Sequence, residues 1–358
     1  MAHRKKIAWL DTIRVFASFA IIAAHYLMCG GFDVYPWTRK ICYDAASLGV
    51  FLFFAISGWL IHGSIARAPS LWHFYRRRLI RIVVPFVVAW LFLAAIFLLL
   101  GLFDSDIAEL SPFRSGATLL TYFMSIFPLD INLLIWFKLP VIDFTGEWFM
   151  RVILLMYLIA PLLDRWATRF PLRTLAISIA VSLIVFEATQ PLYDAHRIAY
   201  NWWLFIVRIP EFLFGMTLAI HKERVLQMRR PLELLSAVIL GAYVLYFVNF
   251  GSQEIFFACH PLAFFVTFPT IFLCFSFAEG LNNLCPKPLA AFNSFSGVSY
   301  MAMLLQHQII YLFERKFDLA QFSELGVILG LIAVTWLTVW LSRRVNKFSD
   351  PIERAIAN

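Results

Sequence analysis

Residues 11–25 read DTIRVFASFAIIAAH, and four of them carry chemistry that an apolar segment does not need: Asp11, Arg14, Ser18 and His25. Their spacings are three, four and seven, so at 3.6 residues per turn they share one face of a helix. Eleven residues separate Arg14 from His25, about three turns and roughly 16 Å of rise. Asp11 lies one turn below Arg14 and can pair with it. An ionisable group inside a bilayer costs roughly 2.5–3.5 kcal/mol or more, and such groups usually face a bundle interior or a wet cavity. Histidine exchanges a proton near neutral pH, so this face could line a path along which His25 takes and gives one. The plainer alternative is an Asp11–Arg14 pair snorkelling to one surface with His25 in the opposite interface.

Two further stretches carry candidate groups. GVFLFFAISGWLI (49–61) contains Ser57 and Gly58, small residues that also permit close helix approach. FYRRRLIRIVVPF (74–86) places Arg77 and Arg78 about one turn from Arg81. Such a cluster could hold a polyanionic phosphate ligand through forked, charge-assisted hydrogen bonds. It could equally anchor the chain on lipid phosphates. Arg208 and Glu211 are one turn apart and predict an intramembrane ion pair. The eight His and five Cys show no metal-ligand spacing. Cys29 and Cys42 flank one short loop and could pair if it faces an oxidising compartment.

The elements that must position these groups follow from composition. The chain has 358 residues, 61% hydrophobic and 15% charged, against about 25% charged for a soluble domain. Apolar runs near 20 residues recur along its length, which predicts an all-α, polytopic transmembrane bundle forming one domain over 1–358. Ten spans are expected near 7–29, 44–63, 79–102, 146–165, 172–189, 201–220, 231–250, 255–278, 298–314 and 324–342. Basic clusters at Arg4–Lys6, Arg67–Arg78, Arg165–Arg173, Lys222–Arg230 and Arg343–Lys347 then fall on one side, which makes both termini cytoplasmic. The clusters alternate with apolar runs, so the net charge of +8 sets orientation rather than recruiting nucleic acid. MAHRKKIAWL resembles a signal peptide only superficially, because Asp11 and Arg14 interrupt it; an uncleaved first span is expected. Residues 103–145 read as a re-entrant or interfacial segment on the outer side, because Pro128 and Asp130 interrupt the apolar run 117–137. FSDPIERAI predicts a separate surface helix after the last span, capped by Ser349 or Asp350 with Pro351 in its first turn.

Taken in order, these stretches resemble the bacterial integral membrane acyltransferase-3 family, O-acyltransferases that modify surface and exported glycans. The resemblance rests on Arg14, ten residues, then His25; on FFAISGWL; on RRRLIRIVVPF; on EWFMRVILLMYLIAPLL (147–163); on RIPEFLFGMTLA (208–219); and on SFSGVSYMAMLLQHQIIYLF (294–313). It implies that His25 is the essential histidine, with Arg14 its partner, and that Arg77, Arg78 and Arg81 lie near an acyl-CoA donor, with Ser57 close by. Leu304 replaces a Tyr usual three residues before the family's penultimate-helix His, and Glu211 replaces an aromatic residue.

The mechanism expected from this resemblance takes acetyl-CoA from the cytoplasm, with no bound cofactor or metal. His25 serves as general base on a sugar hydroxyl, or carries the acyl group itself; both routes stay open. Glu147, Trp148 and His307 are candidates for the glycan or lipid-linked acceptor: Trp stacks on sugar faces and Glu accepts hydroxyl hydrogen bonds. An interfacial aromatic belt accounts for Trp148 equally well. The expected setting is the bacterial inner membrane, with lipids as partners. The rival class is a proton-coupled transporter of a saccharide or lipid-linked intermediate, which could use the same stripe as a relay.

Overall fold

The structure, a computed structural model, describes residues 7–29, 36–110, 112, 118–126, 131–139, 142, 144–196, 201–250 and 263–357. Every regular element among them is helical. In order they are α1 (Ala8–Cys29), α2 (Pro36–Ala66), α3 (Leu71–Gly101), α4 (Ser105–Leu110), α5 (Leu119–Ile126), α6 (Ile131–Trp136), α7 (Glu147–Arg169), α8 (Pro171–Asp194), α9 (Ile209–Ile220), α10 (Lys222–Gln227), α11 (Arg229–Phe250), α12 (Phe264–Leu284), α13 (Pro286–Asn293), α14 (Ser299–Lys316) and α15 (Glu324–Ala357).

Among the described residues, six helices are long and apolar enough to cross a membrane: Ala8–Met28, Asp44–Ala66, Leu71–Gly101, Pro171–Asp194, Phe264–Leu284 and Glu324–Ala357. The other four expected spans fall on α7, α9, α11 and α14; α9 is short, with 12 residues, and α7 and α14 carry polar residues within the helix. α7 carries Arg151, Asp164 and Arg165, and α14 carries Gln306, His307 and Gln308. The expected span 201–220 is divided: a short turn of 3₁₀ helix covers Asn201–Trp203, and α9 begins only at Ile209, with Pro210 in its first turn.

The apolar run 117–137 forms no single helix among the described residues. α5, with 8 residues, is about 12 Å long, far short of a ~30 Å hydrocarbon core. A fully buried arginine of α7 fastens this segment: Arg151 donates to the Ser125 carbonyl at 2.6 Å, and Ser125 Oγ accepts from the Ile142 amide at 2.8 Å. The separate helix expected at FSDPIERAI does not exist. α15 runs 34 residues straight through Pro351. Proline removes one intrahelical hydrogen bond, and tertiary contacts hold the last turns instead. Ser349 is fully buried, Glu353 reaches the Arg81 Nε at 3.5 Å, and the Ile356 carbonyl accepts from Arg76 at 2.6 Å. The Cys29–Cys42 pairing lies outside the described side chains.

α1 is the axle of the bundle, packed against α2, α12, α14 and α15. Polar bonds fix it at both ends. Near its start, Thr12 Oγ1 donates to Asn293 Oδ1 at 2.8 Å and accepts from Asn282 Nδ2 at 2.8 Å, while Asn293 Nδ2 donates to the Ala8 carbonyl at 3.1 Å. Near its end, buried Tyr26 donates to the Val327 carbonyl of α15 at 3.2 Å. These bonds set the register in which His25 meets α14.

α2 and α9 pack almost backbone to backbone. A Cβ built on Gly58 would stand 1.8 Å from the Phe212 carbonyl oxygen, and one on Gly215 would stand 2.0 Å from that of Ala55. The ISGW and FLFG stretches are therefore explained as a small-residue seam.

Candidate active site

The imidazole of His25 is partly buried where α1 crosses α14. Its Nδ1 lies 2.7 Å from Nε2 and 3.1 Å from Oε1 of the buried Gln306 carboxamide. The same Gln306 Nε2 lies 3.1 Å from Nδ1 of His307. The two imidazole centroids are 4.2 Å apart with their planes inclined by 55°. Tyr311 packs edge-on to His307 at 5.6 Å. Two imidazoles thus share one carboxamide, and both use Nδ1 for it. Each Nε2 is left to meet other groups.

Three turns toward the start of α1, Arg14 donates to Asp11 Oδ1 at 3.0 Å, the pair that the spacing predicts. Buried Ser18 turns back on its own helix and donates to the Arg14 carbonyl at 2.9 Å. Arg14 also lies within electrostatic reach of Tyr157 on α7. On α7 the same tyrosine packs against Arg78 of α3. The Arg78 guanidinium sits 5.4 Å from the Tyr157 ring centre and donates to Ser64 Oγ.

The arginines of α3 therefore part company. Arg78 turns into the bundle, Arg77 is exposed, and Arg81 pairs with Glu353 of the terminal turns of α15. Helix geometry requires the split, because successive residues point about 100° apart. Ser57 is partly buried on α2, directly before the Gly58 seam. Glu147 opens α7, and its side chain lies outside the described residues. Trp148 stacks in parallel on Trp203, 5.1 Å between centroids and 4° between planes. His307 is brought to His25 rather than to Trp148 by any contact seen here.

Three residues that sequence reasoning did not assign belong to this description: Gln306, Tyr157 and Arg151. Only Gln306 left a usable signal, since QHQ (306–308) is a polar triplet inside an otherwise apolar helix. Elsewhere, Arg208 and Glu211 form their predicted pair at 2.8 Å, both buried, with the guanidinium 5.1 Å from the Phe51 ring centre. His62 bonds Asp164 at 2.7 Å, and His221 donates from Nε2 to the Ala167 carbonyl at 3.1 Å. Among the described residues no group of three or more potential metal ligands converges.

A bundle of apolar helices with partly buried imidazoles on one level and partly buried guanidinium groups on another defines a multi-pass membrane protein with a polar interior. The family of that chemistry follows from comparison with known families. The model described as "Acyltransferase domain" matches residues 7–343, essentially the whole chain, so the protein belongs to the acyltransferase-3 family of membrane acyltransferases. Neither the curated proteins nor the solved structures contain a match to the chain.

Proposed function

We propose that this membrane acyltransferase is an O-acyltransferase, in the first instance an O-acetyltransferase. It moves an acyl group from cytoplasmic acyl-CoA to a hydroxyl of an exported or cell-surface polysaccharide, or of its lipid-linked precursor. It works in the bacterial inner membrane as a bundle of about ten spans with both termini cytoplasmic. The basic clusters of the loops support that orientation. Its partners are the acyl-CoA, the glycan and the surrounding lipids; nucleic acid is not among them, and no cofactor resides in the protein.

One observation carries the reading. The guanidinium level (Arg14, Arg78, Tyr157) and the imidazole level (His25, His307) are linked by one helix and stand about 16 Å apart along it. A donor with phosphates at one end and a thioester at the end of a long flexible arm fits two such levels. Arg78 binds the donor's phosphates, with Arg77 and Arg81 at the mouth and Ser57 beside the arm, and Arg14 and Asp11 bias the charge along the path. At the upper level the acceptor hydroxyl attacks the thioester carbonyl. A C–O bond forms and the C–S bond breaks. His25 takes the hydroxyl proton and returns it to the departing sulfur, so that CoA leaves as the thiol. In the covalent variant His25 itself attacks first and the hydroxyl then releases the acyl group. Glu147, Trp148 and the Trp148–Trp203 stack supply a flat edge for the sugar, with His307 on the acceptor side of His25.

The test is direct. Purified protein with labelled acetyl-CoA should release free thiol, and with membrane glycan it should label sugar hydroxyls. His25→Ala should lower turnover by about 10²–10⁴-fold while the protein stays monodisperse. Wild-type protein that transports a saccharide but releases no thiol would establish the rival transporter instead.

A further inference from the structure

The proton on His25 has to be in the right place for either route of catalysis, and the structure supplies a means of keeping it there. A base or a nucleophile needs an unprotonated ring nitrogen. Every polar contact of the His25 ring described above is made at Nδ1, by Gln306, so Nε2 is the atom left to face substrate. A neutral imidazole carries one proton. If it sat on Nε2, that nitrogen could neither accept a hydroxyl proton nor attack a thioester. The group bonded to Nδ1 therefore decides whether the ring can work.

A carboxamide can meet Nδ1 in two ways, because its oxygen accepts and its nitrogen donates, and its two ends are nearly the same size. Both ends of Gln306 lie within hydrogen-bonding distance of His25 Nδ1, at 3.1 Å for the oxygen and 2.7 Å for the nitrogen. His307 Nδ1 lies 3.1 Å from that same nitrogen; a half-turn of the carboxamide about its last bond exchanges its two ends and would bring the oxygen to this shared place. One atom of Gln306 thus serves both rings. An amide oxygen there accepts from both Nδ1–H groups and leaves both Nε2 atoms free. An amide nitrogen there donates to both and blocks both.

Resting on the acyl-transfer reading, we propose that Gln306 is the positioning residue of the site: its amide oxygen accepts the Nδ1 proton of His25, and of His307 beside it, so that His25 presents an unprotonated Nε2. The place of Gln306 suits this role. It is buried, and it sits on α14 opposite the end of α1 that Tyr26 ties to α15.

Three variants test it in the purified full chain, with acetyl-CoA as donor. Gln306→Met keeps the length and removes the acceptor. It should lower kcat at least tenfold, leave the KM for acetyl-CoA within about threefold, and leave the elution profile unchanged. Gln306→Glu keeps an acceptor and removes the donor, as the carboxylate partner of a catalytic histidine does. It should recover at least tenfold over Gln306→Met. The 15N spectrum of histidine-labelled wild type, with His25 assigned by its loss in His25→Gln, should show the proton on Nδ1, whether or not Gln306→Met folds. The proposal fails if Gln306→Met keeps kcat within threefold of wild type, if Gln306→Glu is no better than Gln306→Met, or if the proton is on Nε2. In each of those cases wild-type thiol release would leave the acyl-transfer reading standing. Absence of thiol release from wild type would remove that reading instead.

Discussion

Glu211 separates a structural ion pair from a working one. It is fully buried, and its Oε1 accepts from Arg208 at 2.8 Å. Replacing it with Ala leaves the Arg208 guanidinium among apolar side chains, against the Phe51 ring 5.1 Å from its centre. Two unit charges about 4 Å apart attract by about 4 kcal/mol at an effective dielectric of 20. Breaking a buried pair from one side typically costs about 3–5 kcal/mol, because the remaining charge keeps its desolvation penalty. Glu211→Ala should therefore lower the unfolding free energy in mixed micelles by about that amount. The double variant Arg208→Met with Glu211→Leu should recover most of the loss, since apolar residues of similar volume often match a buried pair. Thiol release per folded molecule should stay near wild type in the double variant. A Glu211→Ala loss below 1 kcal/mol would refute the burial argument. Folded double variant without activity would show that the pair takes part in the reaction, as a proton relay does.

Gly58→Ala tests the seam between α2 and α9. Its new Cβ would have to retreat by about 1.2 Å to reach the 3.0 Å floor of real Cβ contacts from the 1.8 Å it would meet. Backbone cannot swing aside as a side chain can, so the cost should be about 1–3 kcal/mol, read as a lower thermal midpoint in detergent. A neutral result would mean that the helices stand further apart. Arg78→Ala should raise the KM for acetyl-CoA at least tenfold, whereas exposed Arg77→Ala should change it less than threefold. Equal effects at the two positions would refute an inward-facing donor site.

The parts of the site that were readable beforehand are those that a helix makes with itself. Asp11–Arg14 and Arg208–Glu211 are each three residues apart, and the rotation per residue alone brings them together. The shared face of Arg14, Ser18 and His25 was legible for the same reason. The failure at Pro351 is instructive. Local rules predict a break there, and contacts from Arg76, Arg81 and the buried Ser349 overrule them. Ten spans were expected, and six of the described helices are long and apolar enough to cross. Hydropathy reports how a helix would sit in lipid, whereas α7 and α14 carry the buried polar residues that face other helices.

By itself the sequence determined that this chain lies in a membrane, which residues line each helix face, and to which family it belongs. Periodicity and composition are properties of contiguous residues. Tertiary structure alone decided that Gln306 joins His25 to His307 across 281 residues of chain, that Tyr157 receives Arg78 while Arg77 is turned away, and that Gly58 meets the carbonyl of Phe212. A helix specifies which side chains share a direction but not what stands opposite them. That is set by the packing of whole helices, the balance of many weak contacts that no short stretch encodes.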